Sequence, residues 1–200
     1  MLEFPTRHEA KRFGLRYLQY FPRQNVFHPG VDYNYGVGDQ DKGQEVLSPT
    51  WGVVEYVSER GTNGGLGNYI VIRHPHNGPA WTRYLHLDST EVLQGQTVAP
   101  GQLIGRLGDS GTDNAHLHFE VLTQKGIDWI KGHYRPYGKY PIGVKKKTVS
   151  ELWMDPMEWI ETQNHHVGSE KPLSPTAAKR KAGRLKEPKR SRLLKRLSTH

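Results

Sequence analysis

Polar and apolar residues alternate from His116 through Leu122 (His-Leu-His-Phe-Glu-Val-Leu), the period of a half-buried strand. Leu117, Phe119 and Val121 would then face a core, with His116, His118 and Glu120 on the opposite, wet face. The stretch 82–87 alternates in the same way, with Leu85 and Leu87 inward and His86 between them. Further apolar runs bounded by glycine, at 46–48, 52–57, 68–73, 97–98 and 103–107, read as short strands. Strands this short and this closely spaced predict a mainly β fold, an antiparallel sandwich or half-barrel. Two short helices flank it: one over 9–20, weakened by Gly14, and one over 151–162, with Trp153, Met157 and Ile160 at helical spacing. Residues 125–150 break the pattern with six glycines and prolines set among Trp129, Tyr134, Tyr137 and Tyr140, the composition of a long loop. Such a loop either walls a substrate groove or packs on its own aromatics.

Candidate chemistry sits on these elements. In His28-Pro29-Gly30-Val31-Asp32, a fully extended chain would carry Asp32 roughly 13 Å from His28. For both side chains to serve one ion the backbone must turn, and Pro-Gly offers a fixed φ followed by a permissive one. The bland alternative is a surface turn with an incidental His and Asp. His116 and His118 would be same-face neighbours roughly 6.5–7 Å apart. One can bind a metal while the other reaches a water or a substrate. Catalytic zinc takes three nitrogen or carboxylate ligands and leaves a fourth position for water. His28, Asp32 and His118 can supply those three, which leaves His86 and His116 to handle protons. His86 taken alone reads more readily as a structural histidine.

The joint pattern changes that. His28-Pro29-Gly30-Val31-Asp32, then Tyr84-Leu85-His86-Leu87, then His116-Leu117-His118-Phe119-Glu120, in this order and spacing, resemble the lysostaphin-type (LytM-like) zinc peptidases that cut bacterial peptidoglycan. The glycine-rich connections match too: Gly95-Gln96-x-Val98, Gly101-Gln102-x-Ile104-Gly105 and Gly108-Asp109-Ser110-Gly111. The resemblance runs from about Phe27 to Leu122 and replaces no metal or catalytic position. It implies one zinc ion on His28, Asp32 and His118, with His86 and His116 as catalytic histidines, and leaves open which of the two is the base. It implies an endopeptidase acting on cross-bridges or stem peptides of peptidoglycan, outside the cytoplasm. Its alternative within the fold is a non-catalytic regulator of cell-wall amidases. Glu120 either supports a ligand from behind or is a strand-face carboxylate in water, and Tyr20 is a candidate to reach the oxyanion. No His-Glu-x-x-His helix motif is present, so the glutamate base of that other zinc-protease design is absent. The Gly-Gln turns are also those of biotin- and lipoyl-carrier half-barrels, but the lysine such carriers present at a hairpin tip is missing here.

Composition adds the frame. The chain has 200 residues, 34% of them hydrophobic, no cysteine and a net charge of +8. No disulfide or thiolate metal site is available, and no apolar run reaches the roughly eighteen residues of a membrane helix. The stretch 171–200 holds 11 Lys or Arg against Glu187 alone, about +10, while the rest holds 17 basic and 19 acidic residues, about −2. The high pI is thus a property of the tail. Three regions follow: an extension over 1–19, a peptidase domain over 20–162 and a basic tail over 163–200. The tail is expected to be disordered. By charge it suits anionic wall polymers or lipid headgroups, with Leu193, Leu194 and Leu197 allowing a short amphipathic turn on a membrane. Nucleic acid would bind it only through counterion release, without sequence preference, and a solvated tail with no partner is the bland alternative. Met1 to Asn25 lack the apolar core of a secretory signal. A wall hydrolase then needs another exit route, delivery from outside on a particle, or a start further upstream.

Overall fold

Every strand expected from the apolar pattern forms in the computed structural model, which describes residues 5–6, 12–34, 36–59, 65–75, 79–131 and 140–164. In chain order come β1 (Arg12–Phe13), β2 (Tyr20–Phe21), β3 (Val26–Phe27), β4 (Gly30–Asn34), β5 (Glu45–Leu47) and β6 (Gly52–Ser58). Then follow β7 (Asn68–His74), β8 (Ala80–Thr90), β9 (Thr97–Val98), β10 (Leu103–Leu107) and β11 (Leu117–Leu122). Helix α1 (Gln124–Lys131), helix α2 (Lys146–Leu152), β12 (Trp153–Met154) and helix α3 (Pro156–Asn164) complete the order. Ten strands make one antiparallel sheet with the path β1-β4-β11-β8-β7-β6-β9; β10 joins β5 to β8, β12 lies beside β11, and β2 and β3 form a separate ribbon. The path does not return on itself, so the fold is mainly β without a closed barrel. Among the described residues no helix is long and apolar enough to cross a membrane.

Alternation along the central strands sorts side chains into two cores, one on each face. On one face Val31, Tyr33, Ile70, Ile72, Tyr84, Leu117 and Phe119 pack with Trp159 and Ile160 of α3. On the other, Val71, Trp81, Leu85 and Leu122 pack with Ile127 and Ile130 of α1, Val149 and Leu152 of α2, and Trp153. All six residues of β11 are buried. The expectation of a wet histidine face is therefore corrected: His118 and Glu120 share the side of Leu122, which the C-terminal helices roof.

The structure departs from expectation at three further places. Residues 12–20 are not helical: β1 pairs with β4, and the backbone of Gly14, Leu15, Leu18 and Gln19 bonds to Asp32 and His28. Tertiary pairing satisfies those backbone groups better than a helix weakened by Gly14. The stretch 125–150 is not one loop, because it holds α1 and the start of α2; residues 132–139 lie outside the described residues. Gly126 made α1 look broken, yet a Cβ there would sit 2.0 Å from the Leu152 carbonyl oxygen, so the glycine is what lets α1 reach the end of α2. The single helix expected over 151–162 divides at Pro156, which disfavours helix in the residue before it and suits the first turn of α3. There Asp155 accepts the Met157 N–H at 2.9 Å. The basic tail, from residue 165 onward, lies outside the described residues.

Candidate metal centre

Strand pairing carries the acidic candidate to the histidine. On β4 and β11, Asp32 stands directly opposite His118, and Gly30 opposite Glu120. A Cβ at position 30 would lie 2.2 Å from the Phe119 carbonyl oxygen, so only glycine lets the two strands close up. This corrects the reason expected for Gly30: it is not among the positive-φ glycines and already belongs to β4. The change of direction lies at His28 and Pro29, where the chain passes from the ribbon to the main sheet. His28 is pinned there by backbone bonds, Leu18 N–H to its carbonyl at 2.8 Å and its own N–H to Gln19 at 2.9 Å.

Three side-chain atoms then converge. His118 Nδ1 is 2.9 Å from His28 Nε2 and 2.8 Å from Asp32 Oδ1, and His28 Nε2 is 3.1 Å from Asp32 Oδ1. All three residues are buried, and together they form a group that could hold a metal ion. Zinc at 2.0–2.1 Å from each donor of a tetrahedron would space the donors about 3.3–3.4 Å apart. The observed triangle need open by only a few tenths of an ångström, and two imidazoles with one carboxylate are a donor set zinc accepts. The residues present fit the ion. Without it, burial works against a charge on Asp32, but hydrogen bonds from His118 and His28 outweigh burial and hold its carboxyl well below the usual range. Burial likewise opposes a charged His118, yet Asp32 and Glu120 on its two nitrogens raise it to about 9. An ion binding at Nδ1 must displace that proton.

Behind His118 stands a second layer. Its Nε2–H donates to Glu120 Oε1 at 2.8 Å. Arg83 Nε donates to Glu120 Oε2 at 2.8 Å and Nη2 to Oε1 at 3.0 Å. Trp153 Nε1–H donates to Oε2 at 2.8 Å. Glu120 and Arg83 are fully buried. Burial pushes the carboxyl up, but Arg83, His118 and Trp153 prevail and bring it to about 2. Glu120 is therefore an ionised, buried partner of His118 rather than a carboxylate in water. Among the described residues His28 has no counterpart of this support, since its Nδ1 is buried there without a hydrogen bond.

His86 sits at a bulge. Between Tyr84 and Leu87, β8 takes one more residue than β7, and His86 adopts φ 65. The bulge reverses the alternation, so Leu85 and Leu87 fall into opposite cores instead of the shared one expected. His86 Nδ1–H donates to the Ser110 carbonyl at 3.1 Å, which leaves Nε2 as the acceptor. Burial, with His116 and His118 nearby, lowers its pKa to about 3, so the ring is neutral. His116, just ahead of β11, donates Nδ1–H to the Asn114 carbonyl at 2.9 Å. Its Nε2 is 3.9 Å from Asp32 Oδ1, and its ring centroid is 4.6 Å from that of His86. All five histidine and aspartate candidates thus meet in one place. Tyr20 instead spends its hydroxyl on Asn25 Oδ1 at 3.2 Å and stacks on Phe27.

Sequence reasoning missed Arg83, Trp153 and Tyr140, whose ring lies 5.7 Å from that of His118. For Arg83 a signal existed: it has the parity of inward-facing Leu85, and a buried cation requires an acid. Trp153 and Tyr140 come from the segment that read as loop and amphipathic helix, so no local pattern pointed to them.

The model of peptidase family M23 matches residues 26–129, just over half of the chain. Over 119 residues the chain is 36% identical to the peptidoglycan DD-endopeptidase ShyC of Vibrio cholerae, covering 58% of this chain and 25% of that protein. It is 36% identical over 80 residues to the murein hydrolase activator NlpD of Escherichia coli, covering 40% of this chain and 20% of that one. The matched region thus spans a quarter or less of either relative. The catalytic domain of lysostaphin from Staphylococcus simulans superposes with a TM-score of 0.53 at 23% identity, over 77% of this chain and 98% of that domain; this likeness is one of fold.

Proposed function

The chain belongs to peptidase family M23, and on that premise we propose that it is a zinc-dependent endopeptidase cutting peptide bonds of bacterial peptidoglycan. The observation that carries this reading is the convergence of His28 Nε2, Asp32 Oδ1 and His118 Nδ1 within 3.1 Å of one another, beside two further imidazoles. Those three would hold the ion. Zinc supplies a water acidified toward neutrality and a polarised scissile carbonyl. The protein does the rest. Glu120 takes the Nε2–H of His118 and so turns Nδ1 inward. His86 and His116 each commit Nδ1–H to a backbone carbonyl, which leaves Nε2 of each as an acceptor toward the attacking water. The low basicity of His86 suits it to hold that water by a hydrogen bond, and His116 then takes its proton and returns it to the leaving amine. The roof over β11 keeps bulk water from the ligand side of the sheet.

The similarity to a murein hydrolase activator supports a second reading, in which the domain binds peptidoglycan or an amidase without cutting. The complete donor set favours the first. Action at the cell wall follows from either.

Incubation with purified peptidoglycan carrying glycine bridges or direct stem cross-links, with and without chelator, tests both. We expect zinc-dependent release of peptide ends, no zinc in His28→Ala or His118→Ala, and retained zinc with turnover lowered about 10²–10⁴-fold in His86→Ala and His116→Ala. Wild-type protein that binds zinc, leaves both walls uncut and stimulates an amidase would replace the first reading with the second.

A further inference from the structure

We propose that Trp153 and Arg83 are positioning residues of the metal centre, acting through Glu120 on His118. The inference rests on the reading of His118 as a metal ligand. Its observation is that the acceptor capacity of Glu120 is filled by groups from three different strands. Oε1 receives His118 Nε2–H at 2.8 Å and Arg83 Nη2 at 3.0 Å, while Oε2 receives Arg83 Nε at 2.8 Å and Trp153 Nε1–H at 2.8 Å. A carboxylate has about four lone-pair sites, so this one has no freedom to rotate. The imidazole bonded to it is fixed in plane and in tautomer, with Nδ1 toward His28 and Asp32.

Stability alone does not account for such a cluster. A buried ion pair is often replaceable by apolar side chains of similar volume without loss, and the surrounding core is rich in them. What an apolar replacement could not do is hold the N–H of a ligand imidazole, and carboxylates behind metal-bound histidines serve that purpose.

Each positioning group has its own anchor. Arg83 lies directly opposite Glu120 in the β8–β11 register. Trp153 is set by β12, where it pairs with Leu122, and its carbonyl accepts the Tyr17 hydroxyl at 2.7 Å. Residue 153 lies beyond the family-matched stretch, which ends at 129. The C-terminal segment therefore completes the ligand environment instead of only covering the sheet.

The test uses the full chain and zinc itself. Dissociation constants by chelator competition, and the visible absorption of the cobalt-substituted protein, are measured for wild type, Trp153→Phe, Glu120→Gln and Trp129→Phe. Trp153→Phe keeps an aromatic ring and deletes the N–H. Trp129, 5.5 Å from Trp153 by ring centroid, belongs to the same core and serves as the packing control. Expected is a loss of zinc affinity of about 10- to 100-fold for Trp153→Phe and for Glu120→Gln, with altered cobalt bands, and wild-type values for Trp129→Phe. Glu120→Gln is close to isosteric and reports even where the indole variant folds poorly. Unchanged affinity in both variants, or an equal loss in Trp129→Phe, overturns the proposal. Wild-type protein that takes up no zinc overturns the metal reading itself, and the proposal with it.

Discussion

His86 shows how much structure one residue's placement requires. Its φ of 65 lies in the left-handed region, which non-glycine residues occupy at a cost of roughly 1–3 kcal/mol unless neighbours hold them there. Those neighbours are identifiable. His86 N–H donates to the Leu66 carbonyl at 3.1 Å. The Ser110 carbonyl takes the ring N–H at 3.1 Å, and the Ser110 hydroxyl donates to the Leu87 carbonyl at 2.6 Å. Gly67, at φ 65, comes so close that a Cβ there would sit 1.9 Å from the Ser110 carbonyl oxygen. Gly67→Ala should therefore destabilise the fold by about 1–3 kcal/mol and lower turnover by displacing the carbonyl that orients His86, while zinc content stays at the wild-type level. Urea denaturation and metal analysis on the variant check this; wild-type stability would show that Ser110 moves freely and does not clasp the ring.

At the scale of elements, the candidate metal centre is a product of close strand approach. β11 brings His118, β4 brings Asp32 directly across from it, and β8 supplies Arg83 from the other side. Beyond its bulge β8 leaves β11 and pairs with β10, which carries His86 to the end of the sheet where His116 enters. The β4–β11 spacing hangs on Gly30, where an added Cβ would press on the Phe119 carbonyl oxygen at 2.2 Å and on Glu120 Cγ at 2.9 Å. Gly30→Ala should cost about 1–3 kcal/mol, the range for overpacking. Because the strain falls between the two strands that carry Asp32 and His118, it should also weaken the zinc binding proposed for them. Thermal melts and chelator competition read the two effects, and a destabilised variant with wild-type zinc affinity would uncouple the strand spacing from the site.

For the whole molecule the main division is one of charge. Residues 171–200 carry 11 basic side chains and one acid, while the remainder has 17 basic and 19 acidic. If the proposed activity belongs to the family-matched domain, deleting 171–200 should leave turnover of a small soluble peptide unchanged. Binding to intact walls or anionic vesicles should weaken on deletion, and the difference should disappear near 1 M salt, where screening shortens the reach of charge to about 3 Å. Equal sedimentation of full-length and truncated protein with walls at low salt would remove that role from the tail.

The sequence by itself determined the strands and the set of residues that meet. Period-two alternation marks 116–122 as a strand, because a strand's side chains must leave on alternate sides. In 82–87 it marks the strand as well, though the bulge at His86 breaks the period there, and the glycine-bounded runs left few other elements for the chain to form. That His28, Asp32, His86, His116 and His118 are candidates for one site was legible for a related reason: donor types and their local contexts are written in the chain, and their order resembles that of a known family. Tertiary structure alone decided what stands behind them. Glu120 is a buried anion and not a wet carboxylate because Arg83, Trp153 and the helices of 124–152 come to it from distant positions. Residues 12–19 pair with β4 and with the backbone of His28 and Asp32 because those partners exist only in the folded sheet. Gly30 and Gly126, which looked like turn and breaker, are glycines because another segment's carbonyl oxygen occupies the place a Cβ would take. Local pattern records what a residue can do, whereas burial and close approach depend on which remote backbone arrives beside it.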